Sequence, residues 1–228
     1  MNYAYLHGFA EDAGSPKGRR LAEVFRQHGI ELQRPDLNWP SFSQLSYSGM
    51  LEAIDMMDLA SNGEPWRFVA TSMGAYVAAR WAELHPERVD GMVLLSPAFD
   101  MVDIWADMLG EEFVQDWETE GEFLFFGPDD NLQPVHWELF ADARDNHPAY
   151  PEADCPTKVI HGREDELVPL AKSETFVERS PSSELVVLDD AHKLENSVWR
   201  VAREALSFFS PGLTGRSDRL SVKRSRAM

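Results

Sequence analysis

Apolar residues in this chain fall into two patterns: short unbroken blocks, and longer stretches in which they recur every three or four positions. The blocks lie at residues 2–6, 67–71, 89–96, 157–160 and 185–188. Each has the length and apolar centre of a strand buried on both faces. Residues 30–37 alternate between apolar and polar and predict one more strand, which runs out at Pro35, Asn38 and Pro40. Between the blocks, Leu21, Val24, Phe25 and His28 keep helical spacing, and Gly29 follows where a helix C-cap glycine belongs. Tyr47, Met50, Leu51, Ile54 and Met57 form the stripe of a second helix after Ser43. An alanine-rich helix is predicted over 76–84 and ends at His85-Pro86, and another is predicted over 170–179. The last helix carries Val198, Val201, Ala202, Ala205, Leu206 and Phe209 on one face and is closed by Pro211-Gly212. Strands alternating with helices predict a mostly parallel sheet of about six strands with helices on both faces.

Residues 101–156 interrupt this alternation and are far longer than an ordinary connection. They hold nine of the 25 aromatic residues, and fifteen Asp and Glu against one basic residue, Arg144. That mixture predicts a cap of short amphipathic helices, apolar toward a pocket and acidic toward water.

The whole chain has 228 residues, 43% of them hydrophobic and 26% charged. This suits one α/β domain over 1–210, with the cap at about 101–156 inserted in it. Net charge is −18, which argues against nucleic acid as a partner. The end of the chain runs the other way: Arg216, Arg219, Lys223, Arg224 and Arg226 stand against Asp218, and residues 211–228 read as a solvated, disordered basic tail. No apolar run is long enough to span a membrane, and the first residues lack the basic and apolar regions of a signal peptide. One cysteine, Cys155, fits a reducing compartment, and the expected location is cytoplasmic. No metal-ligand spacing and no phosphate-binding glycine loop is present, so no cofactor and no metal is expected.

The chemistry is concentrated in three places. Residues 67–76, Arg-Phe-Val-Ala-Thr-Ser-Met-Gly-Ala-Tyr, read as a strand turning through Ser72 into a helix of small residues. A serine at such a corner exposes its hydroxyl and is a candidate nucleophile. A serine needs a base to take its proton, the base needs an orienting carboxylate, and the oxyanion needs donors. His192 follows the block at 185–188, and Asp165 follows the block at 157–160, with Glu164, Asp189 and Asp190 as nearby alternatives for the acid. The order Ser, Asp, His at carboxyl ends of parallel strands is that of a hydrolase site. His7 and His161 each precede a glycine at a strand end, a place suited to supporting a loop, and His136 in the cap is a candidate pocket-lining residue.

Together, Tyr5-Leu6-His7-Gly8-Phe9, the corner around Ser72, the HGxxDxxVP pattern from His161 to Pro169, and His192 resemble the small serine hydrolases of the α/β-hydrolase superfamily. The resemblance covers residues 1 to about 210 and departs from the usual GxSxG corner in having Ala70 for the first glycine. It implies a minimal α/β-hydrolase fold with Ser72 as nucleophile, His192 as general base and acid, and Asp165 fixing the histidine tautomer. It also implies an oxyanion hole from the main-chain N–H groups of Phe9 and Met73. The activity implied is hydrolysis of small carboxylic esters, in the manner of a carboxylesterase. The net charge of −14 over residues 101–156, placed over the pocket, disfavours anions there, so mainly uncharged substrates are expected. A thioesterase or amidase with the same triad, or a non-catalytic ligand-binding protein of the same fold, are the alternatives.

Overall fold

A computed structural model of the protein describes residues 1–209, so the basic tail at 211–228 lies outside the described residues. Five strands form one fully parallel sheet: β1 (Asn2–Leu6), β2 (Trp66–Thr71), β3 (Val89–Leu95), β6 (Thr157–Gly162) and β7 (Ser183–Leu188), in the order β1-β2-β3-β6-β7. Because side chains alternate along a strand, each block supplies both faces of the sheet. Ala4, Leu6, Phe68, Ala70, Met92, Leu94 and Val159 pack on one side, against α2 (Tyr47–Leu59), α3 (Met73–Leu84) and α7 (Leu170–Arg179). Tyr5, Val69, Val93, Leu95 and Ile160 pack on the other, against Leu21 and Phe25 of α1 (Pro16–Gln27) and the apolar stripe of α8 (Val198–Phe209). Each fully buried Val, Leu, Ile, Phe or Met among them contributes roughly 1.5–3 kcal/mol of transfer free energy.

The sheet has five regular strands where about six were expected, and the difference is residues 30–37. That segment meets β1 at a single bridge, with the Tyr5 N–H donating to the Gln33 carbonyl (2.7 Å) and the Gln33 N–H to the Tyr3 carbonyl (2.9 Å). Pro35 then ends the ladder, since it has no N–H to donate and bends the residue before it away from regular pairing. The second helix also starts later than expected, with Ser46 rather than Ser43 as its cap: the Ser46 hydroxyl accepts the Gly49 N–H at 3.0 Å.

The cap is not purely helical. It contains α4 (Met101–Leu109), α5 (Glu111–Glu120), an antiparallel hairpin of β4 (Glu122–Phe126) and β5 (Leu132–His136), and α6 (Glu138–Asn146). The hairpin turn is Gly127-Pro128-Asp129-Asp130-Asn131: the Gly127 N–H donates to the Asn131 carbonyl (2.8 Å), and the Asp129 carboxylate accepts the Asn131 N–H. These are turn residues between two apolar runs, and their chemistry outweighs the helical reading. Trp117 is the cap's own core, fully buried, with its indole N–H donating to the Val135 carbonyl (2.9 Å) and its ring stacked on Trp105. Phe9 meets Trp105 and Phe125 edge-on, which joins this aromatic cluster to the loop after β1. Asp142 ties the cap to α2, accepting from the Ser48 N–H (2.7 Å) and hydroxyl (2.8 Å). Burial would raise the pKa of Asp142, but hydrogen bonds with His147, Ser48 and Asn146 hold it well below the usual carboxylate range.

Candidate active site

All five strands of the main sheet run the same way, so the loops after β1, β2, β6 and β7 share one edge. Ser72 sits at the end of β2 with φ 53° and ψ −121°, a left-handed conformation that costs a non-glycine residue of order 1–3 kcal/mol. Its backbone is held from several sides. The Ser72 N–H donates to the Leu95 carbonyl (2.9 Å), and its own carbonyl accepts the N–H groups of Ala75, Tyr76 and Ala98. Ser72 occupies the N-cap position of α3, yet its hydroxyl makes no capping hydrogen bond and lies 3.1 Å from His192 Nε2 instead.

Gly74 makes the corner possible. A Cβ there would collide with the His7 carbonyl oxygen and stand 2.8 Å from that of Leu6. Those obstacles are backbone, which cannot swing aside. Gly74→Ala is expected to lower the melting temperature by roughly 5 °C or more and to displace Ser72, as thermal unfolding would show. Ala70, where the usual corner has glycine, is fully buried with its methyl group accommodated.

His192 follows β7 and is largely buried, and its Nδ1 lies 2.8 Å and 3.0 Å from the two oxygens of Asp165. Asp165 follows β6, with its side chain wholly shielded from solvent. Burial pushes its pKa up, but hydrogen bonds with His161 and His192, the charge of His192 and the Val168 N–H outweigh that and hold it well below the usual carboxylate range. An ionised carboxylate only accepts, so Nδ1 of His192 must carry the proton. In the neutral ring Nε2 is then the acceptor, aimed at the Ser72 hydroxyl. The chain Ser72–His192–Asp165 can therefore draw a proton from serine onto histidine and hold the imidazolium against a fixed anion.

The structure also brings the two expected main-chain donors to this corner. Gly8 lies against Ser72, since a Cβ on Gly8 would stand 3.2 Å from Ser72 Cβ, and Phe9 follows it. Met73 is the first residue of α3, at the positive end of the helix. Among the described residues, neither N–H has a hydrogen-bond partner.

The sequence pattern of the uncharacterised protein family UPF0227 matches residues 2–210, nearly the whole chain. The chain belongs to this family. Solved structures similar to the UPF0227 chain include α/β-hydrolase-domain proteins and other hydrolases. Alpha/beta hydrolase domain-containing protein 10 from mouse superposes with a TM-score of 0.76 at 16% identity, over 92% of this chain and 90% of its own. A provisionally assigned hydrolase from Agrobacterium vitis gives 0.79 at 23% identity, over 91% and 87%. Est1E from Butyrivibrio proteoclasticus gives 0.73 at 18% identity, over 90% and 85%. At these identities the likeness establishes the α/β-hydrolase fold. No curated protein matches the sequence.

In this UPF0227 chain the other singled-out residues fall as follows. His7 is buried and holds its own loop: its Nε2 accepts the Leu37 N–H (2.9 Å), so its Nδ1–H donates to the Gly8 carbonyl (2.9 Å). His136 stays within the hairpin beside Glu122 at 3.6 Å and is not in the wall of the large cavity next to the loops of Phe9 and His192 among the described residues. Asp189 pairs with Arg163 in the open, and Asp190 accepts the Ala191 N–H; neither takes the place of Asp165 beside His192. Cys155 is remote from the site, and burial pushes its thiol up to about 11, which keeps it protonated. Among the described residues no group of side chains could hold a metal ion, and no helix is long and apolar enough to cross a membrane.

His161 is more than the loop support the sequence indicated. Its Nε2–H is shared between Asp165 Oδ2 and the Val168 carbonyl, both at 3.0 Å, while Nδ1 accepts the Ser173 hydroxyl (2.7 Å). Asp165 is thereby gripped from both sides by histidine. The signal was the four-residue spacing from His161 to Asp165, but spacing across a turn does not reveal which way a ring points.

Proposed function

We propose that this protein is a serine hydrolase that cleaves carboxylic esters of small molecules through an acyl-enzyme on Ser72. The observation that carries the reading is the hydrogen-bonded run from Ser72 Oγ to His192 Nε2 (3.1 Å) and from His192 Nδ1 to Asp165 (2.8 Å), beside two N–H groups that have no partner among the described residues. In this reading His192 takes the hydroxyl proton as Ser72 attacks the ester carbonyl. The N–H groups of Phe9 and Met73 receive the oxyanion, and His192 returns the proton to the departing alcohol. Water then repeats the cycle and frees the acid. Residues 1–210 act as one catalytic domain in a cytoplasmic setting, with the cap over the loop that carries Phe9.

A preference for uncharged substrates was expected from the acidity of the cap, and the placement of those acids weakens that ground. Of the fifteen acids in 101–156, Asp130 alone lines the large cavity beside the site. A panel of p-nitrophenyl esters with two to twelve acyl carbons, set beside matched thioesters and anilides, tests the reaction type. The expected outcome is turnover of the esters that Ser72→Ala abolishes. Faster turnover of the thioesters or anilides would move the assignment to thioesterase or amidase, and a folded protein inert to all three would overturn catalysis.

A further inference from the structure

A cavity of about 670 Å³ opens beside the candidate site. Its walls are Ala10 and Glu11, just after Phe9; Lys193 and Leu194, just after His192; the start of α1; and the hairpin turn at Pro128 and Asp130. A group placed there lies next to both the oxyanion loop and the histidine loop.

The cavity contains one charge whose situation calls for a ligand. Lys17 lies in the first turn of α1, part-buried, and its Nζ donates to Thr71 Oγ1 at 3.0 Å, one residue before Ser72. Among the described residues it belongs to no ion pair. Burial lowers its pKa, because Glu11 and Glu195 are near enough to favour the ammonium but too far to compensate its lost hydration. The first turn of a helix is also the wrong end for a cation, and no acidic residue in that turn offsets it. The inner-wall acids are otherwise engaged: Glu11 accepts the Gly8 N–H (3.2 Å) and Asp12 the Gly14 N–H (2.7 Å). The remaining charges of the lining, Arg19, Arg20, Lys193, Asp130 and Glu195, are exposed at the rim, where solvent screens them.

We propose that Lys17 binds an anionic group, a carboxylate or a phosphate, carried by the substrate whose ester Ser72 attacks. This rests on the serine-hydrolase reading and reverses the expected preference for uncharged esters. An anion beside Nζ would supply the missing partner and fix the substrate between the corner at Ser72 and the rim. Lys17 is then a specificity-determining residue that takes no part in the proton transfers.

The test uses three esters with the same acyl group and alcohols of matched length ending in a methyl group, a carboxylate or a phosphate. At low salt the kcat/KM of one anionic ester over the neutral one is expected to exceed unity by about tenfold or more, with the better anion identifying the group. That ratio should collapse toward one in Lys17→Met, mainly through KM, and recover in part in Lys17→Arg. Should Lys17→Met fail to fold, the wild-type ratio decides, and it should fall as sodium chloride is raised. A wild-type ratio at or below one overturns the proposal. So does an equal loss on neutral and anionic esters in Lys17→Met, which would make the lysine only a prop for Thr71. If no ester is turned over, calorimetric binding of the carboxylate and phosphate alcohols to wild type and Lys17→Arg separates the two ideas. Binding retained there would mean that the hydrolase reading alone has failed, and binding absent would overturn the anion site itself.

Discussion

Ser72→Ala is expected to lower kcat on a good ester by roughly 10⁴- to 10⁶-fold while leaving the protein folded. The size follows from what the hydroxyl does: without it no acyl-enzyme forms, and the remaining donors can only polarise the carbonyl for attack by water. The fold should tolerate the change, because the Ser72 hydroxyl caps no helix and, among the described residues, its one side-chain hydrogen bond is to His192. Alanine keeps the Cβ and leaves the left-handed backbone as it is, held by the main-chain bonds to Leu95 and Ala98. Purified variant and wild type are compared in steady-state kinetics and thermal melts. Retention of more than about a tenth of wild-type kcat would remove Ser72 from the role of nucleophile.

Asp165→Asn is the second large effect, with kcat falling by roughly 10⁴-fold and KM changing little. An asparagine can turn its amide N–H₂ toward His192 Nδ1, which leaves Nε2 protonated and unable to take the serine proton. Geometry would survive and the tautomer would not. The same substitution also loosens His161, whose Nε2–H is shared with Asp165, so some stability is lost as well. The sign of the pH effect on the wild type follows from the depressed pKa. The contribution of Asp165 to stability is complete above its unfolded value of about 3.9 and is lost as pH falls toward its folded value. Asp189→Asn and Asp190→Asn serve as controls; a larger kinetic loss in either than in Asp165→Asn would assign the acid elsewhere.

Much of the fold was legible because parallel strands buried on both faces write themselves as unbroken apolar blocks. The blocks at 2–6, 157–160 and 185–188 lie within β1, β6 and β7, and the stripe from Val198 to Phe209 is α8. Three things were not legible. Residues 30–37 alternate like a strand, but one proline decides how far the pairing runs, and alternation cannot weigh that. The run from Phe123 to Phe126 has no period that separates a helix from a strand, so the cap read as helical, and only the turn residues Pro128, Asp129 and Asp130 marked the hairpin. Lys17 carried no signal at all, since a lysine near a helix start reads as a solvated side chain until Thr71 is placed against it. The candidate site was visible through order and strand-end position, which topology converts into proximity. Ser72 and His192 are 120 residues apart in sequence and 3.1 Å apart in space.

The central claim is that Ser72 is an activated nucleophile, and covalent labelling tests it most directly. The wild-type protein, Ser72→Ala and His192→Ala are treated with a fluorophosphonate probe, and the adduct is located by peptide mass spectrometry. One adduct on Ser72 in the wild type, none in Ser72→Ala and a strongly slowed reaction in His192→Ala is the expected result. A folded wild-type protein that remains unlabelled, or an adduct on any residue other than Ser72, would contradict it.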